Sequence, residues 1–299
     1  MSIETKCAVC KTFGNSRVIY KSTIDSDSFT PEIFSARRIP DRKYYQWVVC
    51  NNCGLYRSDP VSDIDLSELY KNSTFDYSNE LHGLSNSYKK IVSKTCKKPS
   101  GKTLIEIGGG NGFFLEEALQ MGFKSVIEVE PSINAYNSAK PNLKKYFIVD
   151  MLKPELIEDE IADIVVIFHV LDHLTDPTEV LGLIYKMLKP GGSICIAVHN
   201  VNSISAKVLR NKSPIFDVEH TYLYSKKTIH KLLIDSGFKN VKASHYKNSY
   251  SLMYLIHLIP IGYKFKKKLL NSKIVQKLFK IRLTVPLGNM WATGIKDLA

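Results

Sequence analysis

Short runs of unbroken apolar residues alternate with amphipathic stretches through the second two-thirds of the chain. "TLIEI" (103–107), "SVIEVE" (125–130), "YFIV" (146–149), "DIVVIF" (163–168) and "SICIAVH" (193–199) have the length and β-branched content of buried strands. Between the first two, the apolar positions change to helical spacing. Phe114, Leu115, Ala118 and Leu119 mark one face of a helix that Gly122 ends. Ser225 followed by Ile229, Leu232 and Leu233 predicts a second capped, amphipathic helix, stopped by Gly237. Strands that are apolar on both faces and separated by helices predict an α/β fold with a doubly wound, mostly parallel sheet. In such sheets ligands sit at the carboxyl ends of the strands. Before residue 100 the pattern is weaker, although "YYQWVV" (44–49) reads as a strand delivering Cys50.

The first strand runs into "GGGNG" (108–112). A dinucleotide fingerprint that starts at Gly108 and Gly110 wants its third glycine at 113, where the chain has Phe113. The glycines fall instead at 108, 110 and 112. That spacing bares the backbone for a flat, extended ligand without building a pyrophosphate cradle. Glu130, ending the second strand, suits a bidentate hydrogen bond to a ribose diol.

Four of the six cysteines fall in two C-x-x-C pairs, Cys7/Cys10 and Cys50/Cys53. Each pair turns two sulfurs toward one point, and two pairs complete a tetrahedral thiolate shell for zinc. With four protein ligands no position is left open, so such an ion is structural. A redox role is disfavoured because no thioredoxin-like βαβ pattern surrounds either pair.

Composition adds a location and excludes a class. Hydrophobic and charged contents of 44% and 23% are those of an ordinary globular chain. No apolar run approaches the ~20 residues of a membrane span, and "MSIETKCAVCK" has no apolar signal region. A cytoplasmic location is expected. The net charge of +12 is concentrated toward the end, with eight cations from Lys264 to Arg282 and no acid among them. A basic helical insert over 251–282 has three readings: a solvated helical cover over the active-site face, an interfacial helix peripheral at the membrane's inner face, or an attractor for an anionic acceptor.

"LIEIGGGNG", "VIEVEPS", "ADIVVIFHVLDHLTDP" and "LKPGGSICIAVHN" together resemble the successive motifs of class I S-adenosylmethionine-dependent methyltransferases. The cysteine pairs with "LYRSDP" and "LYKNSTFDYS" are similar to the zinc-binding region of a subgroup that includes sugar C-methyltransferases and enzymes of polysaccharide and secondary-metabolite pathways. The resemblance implies a seven-stranded Rossmann-like domain over 101–299, with a last strand "GNMWATGIKD" antiparallel at the sheet's edge. A zinc module (1–75) and a helical linker (76–100) would precede it. It implies that Glu106, Gly108 and Gly110 receive the cofactor's methionine part, that Gly112 also binds the cofactor, and that Glu130 takes the ribose. Asp150 would then accept from the adenine amino group, Met151 pack on the ring, and His169 face the methyl donor.

If the acceptor must lose a proton, a histidine base fits best near neutral pH. Two stretches offer one. "FHVLDHLTDP" holds His169, Asp172 and His173; the i, i+4 histidines match helical spacing and a metal pair, but no third ligand is evident. "PIFDVEHTYLYS" (214–225) resembles the subgroup's acceptor-side segment and presents Glu219 and His220. Asp217 and Val218 stand where sugar C-methyltransferases carry a Tyr-His pair, which weakens a sugar-carbon assignment and makes His220 the better base. No "NPPY" or "DPPY" follows the fourth strand, so base-modifying methyltransferases of DNA or RNA are a poor match and nucleic acid is an unlikely partner. The expected activity is methyl transfer to a small-molecule or carrier-linked acceptor. The alternative is a cofactor-binding or scaffold protein that has lost activity.

Overall fold

The computed structural model describes residues 6–24, 43–59, 71, 81–258, 272 and 281–298. The first three strands are β1 (Ser16–Tyr20), β2 (Gln46–Cys50) and β3 (Tyr56–Asp59), and β2 does deliver Cys50. α1 (Leu81–Thr95) leads into the alternating part: β4 (Thr103–Ile107), α2 (Phe113–Gln120), β5 (Ser125–Val129), α3 (Ile133–Ser138), β6 (Phe147–Ile148) and β7 (Ala162–Phe168). α4 (Pro177–Met187), β8 (Leu188–His199) and α5 (Ile204–Leu209) follow. The chain then forms β9 (Tyr222–Leu223), α6 (Lys226–Asp235), β10 (Lys239–His245), β11 (Asn248–Ser251), α7 (Leu252–Leu258), β12 (Arg282–Val285) and β13 (Asn289–Ile295).

Seven strands form one mixed sheet in the order β10-β13-β8-β7-β4-β5-β6. From β8 to β6 every pairing is parallel, while β13 runs antiparallel to both of its neighbours. β13 is therefore interior rather than at the edge, which is a correction to the expectation above. β10 closes that side, half-exposed and lysine-bearing, as edge strands are. Side chains alternate across the sheet with period two. Ile105, Val165, Ile167, Ile194 and Ile196 pack with α4 and α6, through Leu181, Ile184, Leu232 and Leu233. Leu104, Ile164, Val166 and Cys195 pack with α1 and α2, through Ile91, Val92, Phe114 and Leu115. Both faces are thus covered, and each fully buried aliphatic contributes roughly 1.5–3 kcal/mol.

The local signals explain the helices. Ser225 caps α6 in a reciprocal box with Thr228. Gly122 follows α2 in the left-handed region (φ 97°), and its N–H donates to Leu119 O at 3.0 Å. Phe113, which displaced the fingerprint's third glycine, opens α2 with its ring 5.9 Å from that of Tyr88 on α1.

The N-terminal strands do not close on themselves. They form a four-stranded antiparallel sheet β1-β2-β3-β9 whose last member comes from the acceptor-side segment, with Tyr56 opposite Leu223 and Arg57 opposite Tyr222. Trp47 packs edge-on against Phe216 at 5.4 Å. Cys7, Val9 and Leu55 belong to the same apolar cluster as Leu171, Tyr222 and Tyr224. The cysteine-bearing end is therefore continuous with the core below the cleft.

β11 and β12 pair antiparallel at the base of the predicted insert, and Ser87 of α1 donates to Asn248 Oδ1 at 2.9 Å. Most of the basic stretch, including Lys266, Lys267 and Lys268, lies outside the described residues. Among the described residues no helix is long and apolar enough to cross a membrane.

Candidate functional site

The loop between β4 and α2 stands at the carboxyl edge of the sheet, with Gly108, Gly110 and Gly112 all at positive φ (72°, 65° and 74°). Sequence reasoning passed over the glycine between the first two. A side chain on Gly109 would begin 2.3 Å from Glu128 Oε2 and 2.7 Å from Glu106 Oε2. Two carboxyls therefore occupy the space beneath the loop. Glu106 and Glu128 are direct partners in the parallel register of β4 and β5, both are buried, and neither Oε2 has a hydrogen-bond partner. Glu128 Oε1 accepts from the Gly109 N–H at 2.7 Å. Glu130, two residues further on the same face, accepts from the N–H groups of Gly110 (2.9 Å) and Ser132 (2.8 Å).

Three buried acids within one layer favour the neutral forms. Burial, opposed by a hydrogen bond with Glu128 and aided by the charge of Glu130, pushes the Glu106 carboxyl up to about 7. Burial and the facing Glu106 raise Glu128 well above the ordinary carboxylate range. Burial also raises Glu130, opposed by its two backbone donors. The layer beneath the loop is therefore acidic and buried. Asp150 and Met151 lie just beyond β6, which also pairs with the end of β5, since Glu130 N–H donates to Ile148 O at 3.1 Å. Asp150 is at the surface, accepts from Met151 N–H at 2.8 Å and pairs with Lys153.

The second half of the cleft follows β7 and β8. His169 is in the left-handed region (φ 55°), and its Nε2 lies 3.1 Å from Tyr246 Oη. Residues 169–173 form turns, so the i, i+4 reading as a helix is corrected. Asp176 caps and Pro177 opens α4, which delays the helix beyond both histidines. His169 instead faces His199 at the end of β8 (rings 4.9 Å apart), and His173 faces His220 (4.8 Å). His199 and His220 are themselves 4.9 Å apart. All of these surround Asp172, which is fully buried. Burial opposes its ionisation, but His199, His173 and His220 outweigh that and hold its carboxyl below the usual range. His220 Nδ1 donates to Ile215 O at 2.9 Å, leaving the lone pair on Nε2. Burial, aided by His173 and His199, keeps its pKa well below that of free imidazole, so the ring is neutral. Glu219 stands on the same turn, its N–H donating to Asp217 Oδ1 at 3.3 Å.

Sequence reasoning missed Glu128, His199 and Tyr246. The E-x-E alternation in β5 was a readable signal for the first. The other two depend on strand order and had none.

The four predicted thiols do meet. Cys7 and Cys53 sulfurs are 3.5 Å apart, as are those of Cys10 and Cys50, and all four lie within 4.8 Å of one another. Four sulfurs each ~2.3 Å from one tetrahedral ion would stand about 3.8 Å apart, so the donor set fits zinc. The hydrogen bond from Cys53 lowers the Cys7 thiol to about 5 and raises Cys53 itself.

A family model described as a methyltransferase domain matches residues 81–243, more than half of the chain. The ubiquinone biosynthesis O-methyltransferase of Caulobacter vibrioides is 30% identical over 106 residues, covering 33% of this chain and 42% of that protein. The tRNA U34 carboxymethyltransferase of Ruthia magnifica is 25% identical over 148 residues, covering 47% and 46%. The chain spans less than half the length of these curated relatives. Among solved structures, the YcgJ protein of Bacillus subtilis superposes with a TM-score of 0.50 at 13% identity, covering 73% of this chain and 99% of that one.

Proposed function

The chain belongs to the methyltransferase-domain family, and from that premise we propose that it moves a methyl group from S-adenosylmethionine to a small-molecule or carrier-linked acceptor. The observation that carries this reading is the acid-floored glycine loop. Bare backbone at residues 108–112 lies over Glu106, Glu128 and Glu130, a setting that suits a cationic adenosyl ligand better than linked phosphates.

In this reading Glu106 and the backbone at Gly108, Gly110 and Gly112 receive the cofactor's methionine part. Glu130 accepts from the ribose hydroxyls, Asp150 from the adenine amino group, and Met151 packs on the adenine ring. His169 borders the methyl group. Bound there, S-adenosylmethionine would supply an electrophilic methyl group to the acceptor's lone pair and leave as S-adenosylhomocysteine. The acceptor's proton passes to His220 Nε2, with Glu219 beside it. Holding the two reactants in line supplies much of the rate, and the base contributes roughly 10²–10⁴-fold.

Cys7, Cys10, Cys50 and Cys53 would hold a structural zinc that fixes the N-terminal strands against β9. Because β9 follows His220 by two residues, that ion would steady the acceptor side of the cleft. Tyr246, just before β11, reaches His169. The cations between 264 and 282 would favour an anionic or carrier-linked acceptor. The relatives' names span a quinone pathway and a tRNA and so fix no single acceptor class. Incubation with methyl-labelled S-adenosylmethionine and fractionated small-molecule extract tests the reading. Label in an extractable product, with S-adenosylhomocysteine released, supports it; tight cofactor binding with no transfer to any fraction favours the inactive scaffold.

A further inference from the structure

The imidazoles around Asp172 do more than neighbour it. Asp172 Oδ2 accepts from the His199 backbone N–H at 3.3 Å and lies 3.9 Å from His199 Nε2, while its buried Oδ1 has no hydrogen-bond partner. His169, Asp172 and His199 each offer one ligand atom, all within 4.8 Å of one another. The His199 ring is oriented from outside. Asn289 Nδ2 donates to Tyr250 Oη at 2.9 Å, which turns Asn289 Oδ1 toward His199 Nδ1 at 3.1 Å. A carbonyl oxygen only accepts, so Nδ1 carries a proton, and Nε2 is the nitrogen turned toward the carboxylate.

A buried carboxylate facing Nε2 calls for positive charge there, either a proton on Nε2 or a cation bound between the two groups. The 3.9 Å separation exceeds an N–H···O hydrogen bond. Two ligands at about 2.1 Å from a shared tetrahedral ion stand ~3.4 Å apart, so ligation would draw this pair together by about half an ångström. An imidazole whose other nitrogen donates outward to a carbonyl is the usual support of a metal ligand.

We propose that Asp172, His199 and His169 form a binding site for a divalent transition cation, of the class that imidazole and carboxylate share, such as manganese, cobalt, iron or zinc. His169 and His199 are half-exposed, so the ion keeps open positions toward the cleft. There it takes an acceptor oxygen, lowering that oxygen's affinity for its proton before the proton passes to His220. This role rests on the methyl-transfer reading; the existence of the site does not.

The test therefore uses the metal alone. Manganese(II), which thiolates bind poorly, is titrated into the full-length chain without cofactor or acceptor while the electron paramagnetic resonance signal of free Mn(II) is followed. Zinc and iron are quantified in the chain as purified. One Mn(II) equivalent per chain is expected, weakened at least 10-fold in His199→Gln and His169→Gln, with zinc at the cysteines retained. Both side chains are half-exposed, and matching circular dichroism and melting curves establish that the variants fold. The proposal is overturned if the chain binds no metal beyond one thiolate-held equivalent. It is equally overturned if folded His199→Gln and His169→Gln bind Mn(II) as the parent does, or if His199 proves to be an imidazolium paired with Asp172. Mn(II) binding that persists without the cofactor being bound or turned over separates failure of the methyl-transfer reading from failure of the site.

Discussion

The cleft has two polar floors, built in opposite ways. Under the glycine loop, Glu106 and Glu128 are placed by the β4–β5 register, and Glu130 follows the end of β5, held by the Gly110 and Ser132 N–H groups. Beyond β7 and β8, Asp172 is ringed by imidazoles from the 169–173 turn, the end of β8 and the turn before β9. The first set is crowded acid held toward neutrality; the second is one acid held ionised by its neighbours. A row of acids calls for a cation or for donors, while a carboxylate among imidazoles handles protons or a metal. The contrast supports the proposal that the first floor holds the cofactor and the second handles the acceptor's proton.

Variants should split along that line. His220→Asn should lower kcat by about 10²–10⁴-fold and leave the S-adenosylmethionine Kd unchanged, as read by steady-state kinetics beside calorimetry. An equal loss in cofactor affinity would break the division. The next largest effect concerns pH. The Glu106 carboxyl is raised from an ordinary 4.5 to about 7 in the folded chain, so its contribution to stability is complete below about 4.5 and lost as pH rises through about 7. The cofactor-free chain should lose roughly 1–3 kcal/mol between pH 5 and pH 8, and Glu106→Gln should remove much of that loss in urea titrations. Cofactor affinity should move the other way, rising with pH as the acids ionise. A flat stability profile in the parent would contradict the crowded-acid account. The smallest effect belongs to Asp150→Asn. An exposed carboxylate already paired with Lys153 should change cofactor affinity by less than about threefold, measured by the same titration.

The sheet was legible because its strands are apolar on both faces, a pattern few other arrangements produce. The glycine loop and Glu130 were legible because they follow strands at fixed offsets. Glu128 was missed for lack of one step, since two glutamates two apart on a strand must share a face and so meet Glu106. The interior place of β13 needed the return of β10, whose lysines and half-exposure weaken its strand signal. β9 is two residues long and joins the N-terminal sheet through long-range pairing, so no local propensity marks it. His199 closes an apolar run, and nothing near it in sequence announces that β7 and β8 lie side by side. The helical reading of His169 and His173 gave way to Asp176 and Pro177, a start signal that was visible and outweighed the histidine spacing.

The most direct test is a calorimetric titration of the full chain with S-adenosylmethionine and, separately, with NAD, repeated on Glu130→Ala. The account predicts one S-adenosylmethionine site per chain, weakened about 10–100-fold by the substitution, and no heat from NAD. Equal S-adenosylmethionine binding by parent and variant, or NAD binding that depends on Glu130, would contradict it.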